Sequence, residues 1–195
     1  MHFLTDFGDQ AVILPLTLAV GLALALGGWW RGAAAWLAGV AATLMAALLG
    51  KLVVHACDPL PLIGLQSPSG HTAAAAAAYG GLLALLAPRG WRAPLLAAIG
   101  AVATAALIGT SRVELRAHSI ADVLAGGMLG IAGAVLLASL AGDRPVRVRR
   151  VLPVAAALAM AILFHGTHLH AEDGIARMSH MFWPLTLCTG AGVRP

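Results

Sequence analysis

An all-α fold, built as a bundle of membrane helices, is predicted for this 195-residue chain by three observations. The chain is 60% hydrophobic and only 10% charged, with a mean hydropathy of +0.89, far from the mixture found in soluble globular domains. Charge-free apolar stretches recur at 11–26, 32–50, 72–87, 93–110, 123–142 and 151–164. At ~1.5 Å per residue and a ~30 Å hydrocarbon core, most of these approach spanning length. The strict polar/apolar alternation of a membrane β-barrel is absent, while Ala, Leu and Met favour helix. The expectation is a single polytopic domain over 1–195 with about six transmembrane helices, a core at 30–165 and an outward-facing tail at 166–195.

Each element has its own signature. The first run is preceded by Asp6 and Asp9 with no Lys or Arg, whereas a secretory signal begins with a positive region, so this run is expected to be a helix of the mature protein. The second run closes on Lys51 in "KLVVHACDP". The third opens from "SPSGH" into six alanines, and the fourth closes on Ser111 and Arg112. The fifth opens near His118 and Asp122 and carries Gly126, Gly127, Gly130 and Gly133, small residues that let helices approach closely. The sixth is the shortest and needs His165, Gly166 and Thr167 to complete a crossing. The remaining tail is mixed and too short for a further span, with Phe182 and Trp183 reading as interfacial anchors.

Orientation follows from arginine placement. Arg31, Arg89, Arg92, Arg144, Arg147, Arg149 and Arg150 all fall in alternate connections, which the positive-inside rule places in the cytoplasm. The other side then holds all eight histidines and seven of the eight carboxylates, Asp143 being the exception. The chain is therefore expected in the inner (cell) membrane with its polar residues facing the periplasm or exterior. The pI near 10.0 reports this topology and lipid headgroup contact, not a nucleic-acid partner. Cys57 and Cys188 share the outer side, where an oxidising compartment permits either a disulfide or two separate thiols.

The outer polar residues cluster at three helix ends. The turn Pro68-Ser69-Gly70-His71 leads into a helix whose unpaired N–H groups and partial positive charge suit an anion, and Gly70 admits a close ligand. Lys51 and Arg112 add positive charge, the guanidinium fork matching phosphate oxygens. His118 and Asp122 are four residues apart on one helix face, so the carboxylate can orient the imidazole as a general base or a nucleophile. Two histidines, an anion nest and two cations point to phosphoryl transfer, one His attacking phosphorus and the other protonating the leaving oxygen. The tail's "HGTHLH" has the look of a metal site, yet the anion nest and the Asp beside His118 fit an oxyanion better than a divalent cation. No metal and no other cofactor is expected.

These residues resemble the type 2 phosphatidic acid phosphatase superfamily, which also contains the vanadium haloperoxidases, and in particular its membrane lipid phosphatases. The family pattern has a Lys followed after six residues by Arg-Pro, then Pro-Ser-Gly-His, then Ser-Arg, five residues, His, three residues and Asp. The second motif is complete here at Pro68, Ser69, Gly70 and His71, and the third at Ser111, Arg112, His118 and Asp122. The first is partial: Lys51 and Pro59 stand at the right distance, but Asp58 replaces the family's Arg. An acid facing phosphate would repel it, so either Asp58 turns away or another cation such as Arg116 is recruited.

The resemblance implies that His118 attacks phosphate to give a phosphohistidine and that Asp122 orients it. It further implies that His71 protonates the leaving group, while Lys51, Ser69, Gly70 and Arg112 hold the phosphate oxygens. A site at the membrane surface implies a lipid phosphomonoester or diphosphate as substrate. Undecaprenyl diphosphate, phosphatidylglycerol phosphate, phosphatidic acid and lipid A phosphates are the candidates. Two other classes share these residues: a lipid phosphotransferase using the same intermediate, and a non-catalytic phospholipid-binding or transport protein.

Overall fold

Each of the six apolar runs becomes a helix in the computed structural model, which describes residues 1–56, 64–87 and 92–169. A short helix α1 (His2–Thr5) and a 3-10 turn (Asp6–Gly8) precede them. The runs themselves form α2 (Gln10–Leu26), α3 (Trp30–Ala56), α4 (Gly70–Leu86), α5 (Arg92–Glu114), α6 (Ile120–Ala141) and α7 (Val151–Phe164). No strand occurs among the described residues. The Cys57–Cys188 pairing, Asp58, Pro59, Arg89 and the anchors Phe182 and Trp183 lie outside the described residues.

By length and composition, three helices are sufficient to cross a membrane: Trp30–Val54, Arg92–Glu114 and Ile120–Ala141. The pair His2–Gly8 and Gln10–Leu26, bent by 45°, makes up to four. Helices α4 and α7 are apolar but shorter, at 17 and 14 residues. Six apolar helices are thus present where six crossings were expected, but by length and composition only three, or four with the bent pair, suffice to span a membrane. Their outward faces carry Leu18, Leu22, Leu107, Met128, Ile162 and Leu163 in the open, so the bundle is apolar outside as well as inside, as a hydrocarbon solvent requires.

Helix α4 is the axis of the bundle, packed against α3, α5 and α6. Its six alanines, Ala73 to Ala78, are all fully buried. Alanine has high helix propensity and adds almost no radius, so three neighbours can close on one helix. The partner helices meet it with glycine. A Cβ placed on Gly130 would lie 2.6 Å from the Ala73 carbonyl oxygen, and one on Gly126 would collide with the Ser69 carbonyl oxygen. Gly126→Ala is therefore expected to push α6 off the start of α4, costing about 1–3 kcal/mol as overpacking does. A lowered thermal midpoint in detergent, with an intact midpoint for a lipid-facing control such as Met128→Leu, is the result that checks it.

The two ends of the bundle differ chemically. At one end arginines close the connections: Arg31 Nε donates to the Leu140 carbonyl at 2.8 Å, and Arg147 donates to the Gly28 carbonyl at 3.0 Å. Arg144 donates to the Val148 carbonyl. At the opposite end lie the start of α2, the end of α3, the start of α4, the end of α5 and the start of α6. Along α2 and α3 the indole of the fully buried Trp36 donates to the Thr17 carbonyl at 2.8 Å, fixing the register between them.

Candidate active site

The polar end is organised by one carboxylate. Asp122 sits in the first turn of α6 and is 1% exposed. Its Oδ1 accepts from the backbone N–H of Gln66 at 2.8 Å and of Ser67 at 2.7 Å. Its Oδ2 accepts from the Ser119 N–H at 3.0 Å and lies 3.5 Å from His118 Nδ1. Ser119 returns the favour as N-cap, accepting from the Asp122 N–H at 3.1 Å, so a capping box starts the helix. The Ser119 hydroxyl also donates to the Gly64 carbonyl at 3.0 Å, and the Ser69 N–H donates to the Asp122 carbonyl at 2.9 Å. The second and third motifs are thus stitched together through Asp122 and Ser119.

Nδ1 is the ring nitrogen of His118 that faces the carboxylate. The His118 side chain is only 7% exposed, which shields the imidazole from bulk water.

The start of α4 is the turn expected to hold an anion. Ser69 is its N-cap, extended at φ −67° and ψ 108°, and its hydroxyl takes the Thr72 N–H at 3.4 Å and the Thr72 hydroxyl at 2.9 Å. Ser69 and Thr72 are fully buried. A Cβ on Gly70 would meet Gln10 Nε2 at 3.3 Å and Lys51 Cε at 3.6 Å, so two donors of different helices border the turn. Lys51, 2% exposed, donates from Nζ to the Ser67 hydroxyl at 3.1 Å. A buried ammonium and a helix N-terminus both carry positive potential, so this corner of the bundle favours an anion.

Arg112 approaches from the last turn of α5, where it donates from Nη1 to the Thr5 hydroxyl at 3.3 Å. Ser111, fully buried beside it, donates to the Ile108 carbonyl at 2.6 Å and is absorbed by its own helix. Arg116, the alternative cation, is exposed at a left-handed position, φ 54°, in the turn between α5 and α6.

His71 lies one residue into α4 and is 8% exposed. Its Nε2 is 3.3 Å from Asp9 Oδ2, a partner that the sequence pattern does not reveal. Asp9 caps α2, accepting from the Ala11 N–H at 2.8 Å and the Leu169 N–H at 3.2 Å. Burial works to raise the Asp9 carboxyl, but the His71 hydrogen bond and the Ala11 and Leu169 amides outweigh it and lower it to about 2. The only advance signal was an acid immediately before an apolar run, which is also what any helix N-cap looks like.

The tail histidines gather on the same end. His165 Nε2 is 3.0 Å from the Phe3 carbonyl and 4.0 Å from Asp6, and His168 Nδ1 lies 3.8 Å from Asp6 and 3.6 Å from Asp9. His170 lies outside the described residues. Among the described residues, no group of three His, Cys, Asp or Glu side chains is arranged to hold a metal ion.

Fold and residue placement define a class first: an all-helical chain with long apolar helices whose histidines, carboxylates and cations meet at one end of the bundle. The PAP2 superfamily model matches residues 53–146, a stretch that holds both complete motifs, and this match supports the resemblance to the type 2 phosphatidic acid phosphatase superfamily. The match supports phosphatase or phosphotransferase chemistry on a phosphate ester. No curated protein and no solved structure matches the chain.

Proposed function

We propose that this protein is a membrane lipid phosphatase working through a phosphohistidine. The observation that carries the reading is the Asp122 carboxylate, which binds His118 with one oxygen and the turn ahead of Ser69 and Gly70 with the other. One group thereby aligns a nucleophile with an anion nest, as in-line displacement requires.

In this mechanism Lys51, Arg112, the Ser69 hydroxyl and the N–H groups at Gly70 hold the phosphate oxygens. His118 Nε2 attacks phosphorus as the bond to the leaving alcohol or phosphate breaks, and His71 gives that oxygen its proton. Water, deprotonated by His71, then displaces phosphate from His118 and restores both rings. The His118 Nε2 lone pair forms the P–N bond as the P–O pair leaves with the protonated oxygen, and the water oxygen supplies the pair for the second displacement, so no change of oxidation state occurs in either step.

The substrate is a lipid phosphomonoester or diphosphate of the undecaprenyl diphosphate, phosphatidylglycerol phosphate, phosphatidic acid or lipid A type. Its chains would remain among the exposed apolar faces of the bundle. The arginine-closed end faces the cytoplasm and the site faces the periplasm or exterior of the inner (cell) membrane, following the charge bias of the connections. A phosphotransferase would share every residue and differ only in the acceptor.

Purified protein assayed for phosphate release against a panel of lipid phosphates and diphosphates tests the reading. Turnover of at least one lipid, undiminished by a strong chelator, is expected. Marked loss with chelator would instead require a metal, and binding of these lipids without any release would indicate a non-catalytic carrier.

A further inference from the structure

The segment before α2 lies outside the stretch matched by the family model, yet it is built into the polar end of the bundle at several points. Asp9 Oδ2 is 3.3 Å from His71 Nε2, the Thr5 hydroxyl takes the Arg112 guanidinium at 3.3 Å, and Tyr79 of α4 donates to the Phe7 carbonyl at 3.0 Å. A Cβ on Gly8 would stand 3.0 Å from the His71 carbonyl oxygen, so the backbone there touches the very residue that Asp9 pairs with. Thr5, Asp6 and Asp9 are all buried.

We propose that this N-terminal segment completes the active site, with Asp9 as the positioning residue for His71. The inference rests on the phosphohistidine reading above. It assigns the chain two His–Asp pairs: Asp122 orients the nucleophile, and Asp9 orients the proton donor. With Nε2 held by Asp9, the ring presents Nδ1, which is buried and has no hydrogen-bond partner among the described residues. A buried ring nitrogen left open in this way is costly unless a substrate atom uses it. The leaving oxygen is the atom that needs it: as its bond to phosphorus breaks, the Nδ1 proton passes to it.

The groups facing this pair are consistent with a fixed carboxylate. Asp9 is held by the Ala11 and Leu169 N–H groups, His168 Nδ1 approaches Asp9 Oδ2 at 3.6 Å, and the same His168 Nδ1 lies 3.8 Å from Asp6 Oδ1. A carboxylate anchored by two backbone amides sets the direction of the imidazole rather than following it.

Leaving-group dependence distinguishes this role from a merely structural one. An alkoxide departing from phosphatidic acid needs a proton, whereas p-nitrophenolate departs without one. In Asp9→Ala, the first-turnover rate of leaving-group release from phosphatidic acid in mixed micelles is expected to fall on the order of 10²-fold, the cost of misplacing a catalytic group by about an ångström. The first-turnover burst of p-nitrophenolate from p-nitrophenyl phosphate should stay within about threefold, because the water step that also uses His71 comes after it. Asp9→Asn keeps the helix cap and the shape, and carries the same test with a smaller split if the alanine variant fails to fold. Equal loss on both substrates in a folded variant, or no loss on either, would overturn the role of Asp9. His118→Ala, run alongside, must lose both substrates; if it retains turnover, the failure lies in the phosphohistidine reading itself.

Discussion

His118→Ala is expected to reduce phosphate release by about 10⁴-fold or more, as removal of a covalent nucleophile does, while leaving the protein folded. The reason it should stay folded is in the bonding of Asp122. Losing the imidazole removes one contact at 3.5 Å, but the carboxylate keeps the N–H groups of Gln66, Ser67 and Ser119 at 2.7–3.0 Å. The stitch between the motifs therefore survives the loss of the nucleophile. Two measurements check this: phosphate release from a lipid phosphate, and a thermal melt in the same detergent. A rapid acid-free quench of the parent enzyme should in addition trap an acid-labile, base-stable phosphoryl group that the variant lacks. Undiminished turnover of every lipid phosphate tested in the variant would end the covalent mechanism.

Much of the architecture could be read from hydropathy because a membrane bundle has few alternatives: each apolar run must close its own backbone hydrogen bonds, and helix is the solution. The run at 151–164 coincides with α7, Val151–Phe164, and that at 11–26 is within one residue of α2 at its start. Ends were extended where polar residues continue a helix past the apolar stretch. Helix α3 carries Lys51 inside its last turns, and α5 carries Ser111 and Arg112 within it, because a side chain facing other protein at the end of a bundle needs no hydrocarbon. The placement of the residues of the two complete motifs was legible for a different reason, although the expected shared helix face of His118 and Asp122 is not what forms. His118 stands two residues ahead of α6, before the Ser119 cap, and Asp122 lies in the first turn, so the capping turn brings them together, while Ser69 caps the helix that Gly70 and His71 begin.

What local spacing cannot carry is a pairing between remote segments. Asp9 and His71 are separated by the whole of α2 and α3 and the connection after each, and nothing in the composition of 1–10 singles out Asp9 over Asp6. Thr5 to Arg112 spans more than half of the chain. The six alanines were legible as tight packing, but that α4 is the central helix follows only from the glycines of α6 facing it. The same limit applies to Lys51: its charge was evident, and its contact with the Ser67 hydroxyl is a product of how α3 ends against the turn before α4.

The largest combined effect is expected at Asp122, which in the proposed mechanism serves structure and catalysis with one side chain. Its two oxygens serve three backbone N–H groups and an imidazole in a site that is 1% exposed. Asp122→Asn replaces one acceptor oxygen by an amide donor, which cannot satisfy the N–H groups on its side and faces them with like polarity. If the amide turns toward Gln66 and Ser67, the connection before α4 loses its anchor; if it turns toward Ser119 and His118, the capping box opens and the imidazole is held in the wrong tautomer. Either way at least one buried hydrogen bond to a charged group is lost, at about 1.5–3 kcal/mol each, and the nucleophile loses its orientation, which in a comparable His–Asp arrangement costs about 10⁴-fold in rate. Asp122→Asn is therefore expected to lower both the melting temperature and kcat, whereas His118→Ala lowers kcat alone. A variant that melts like the parent yet loses activity would assign Asp122 to catalysis only. One that melts early yet keeps full activity on the surviving folded fraction would remove it from the mechanism and leave it as the clasp between α4 and α6.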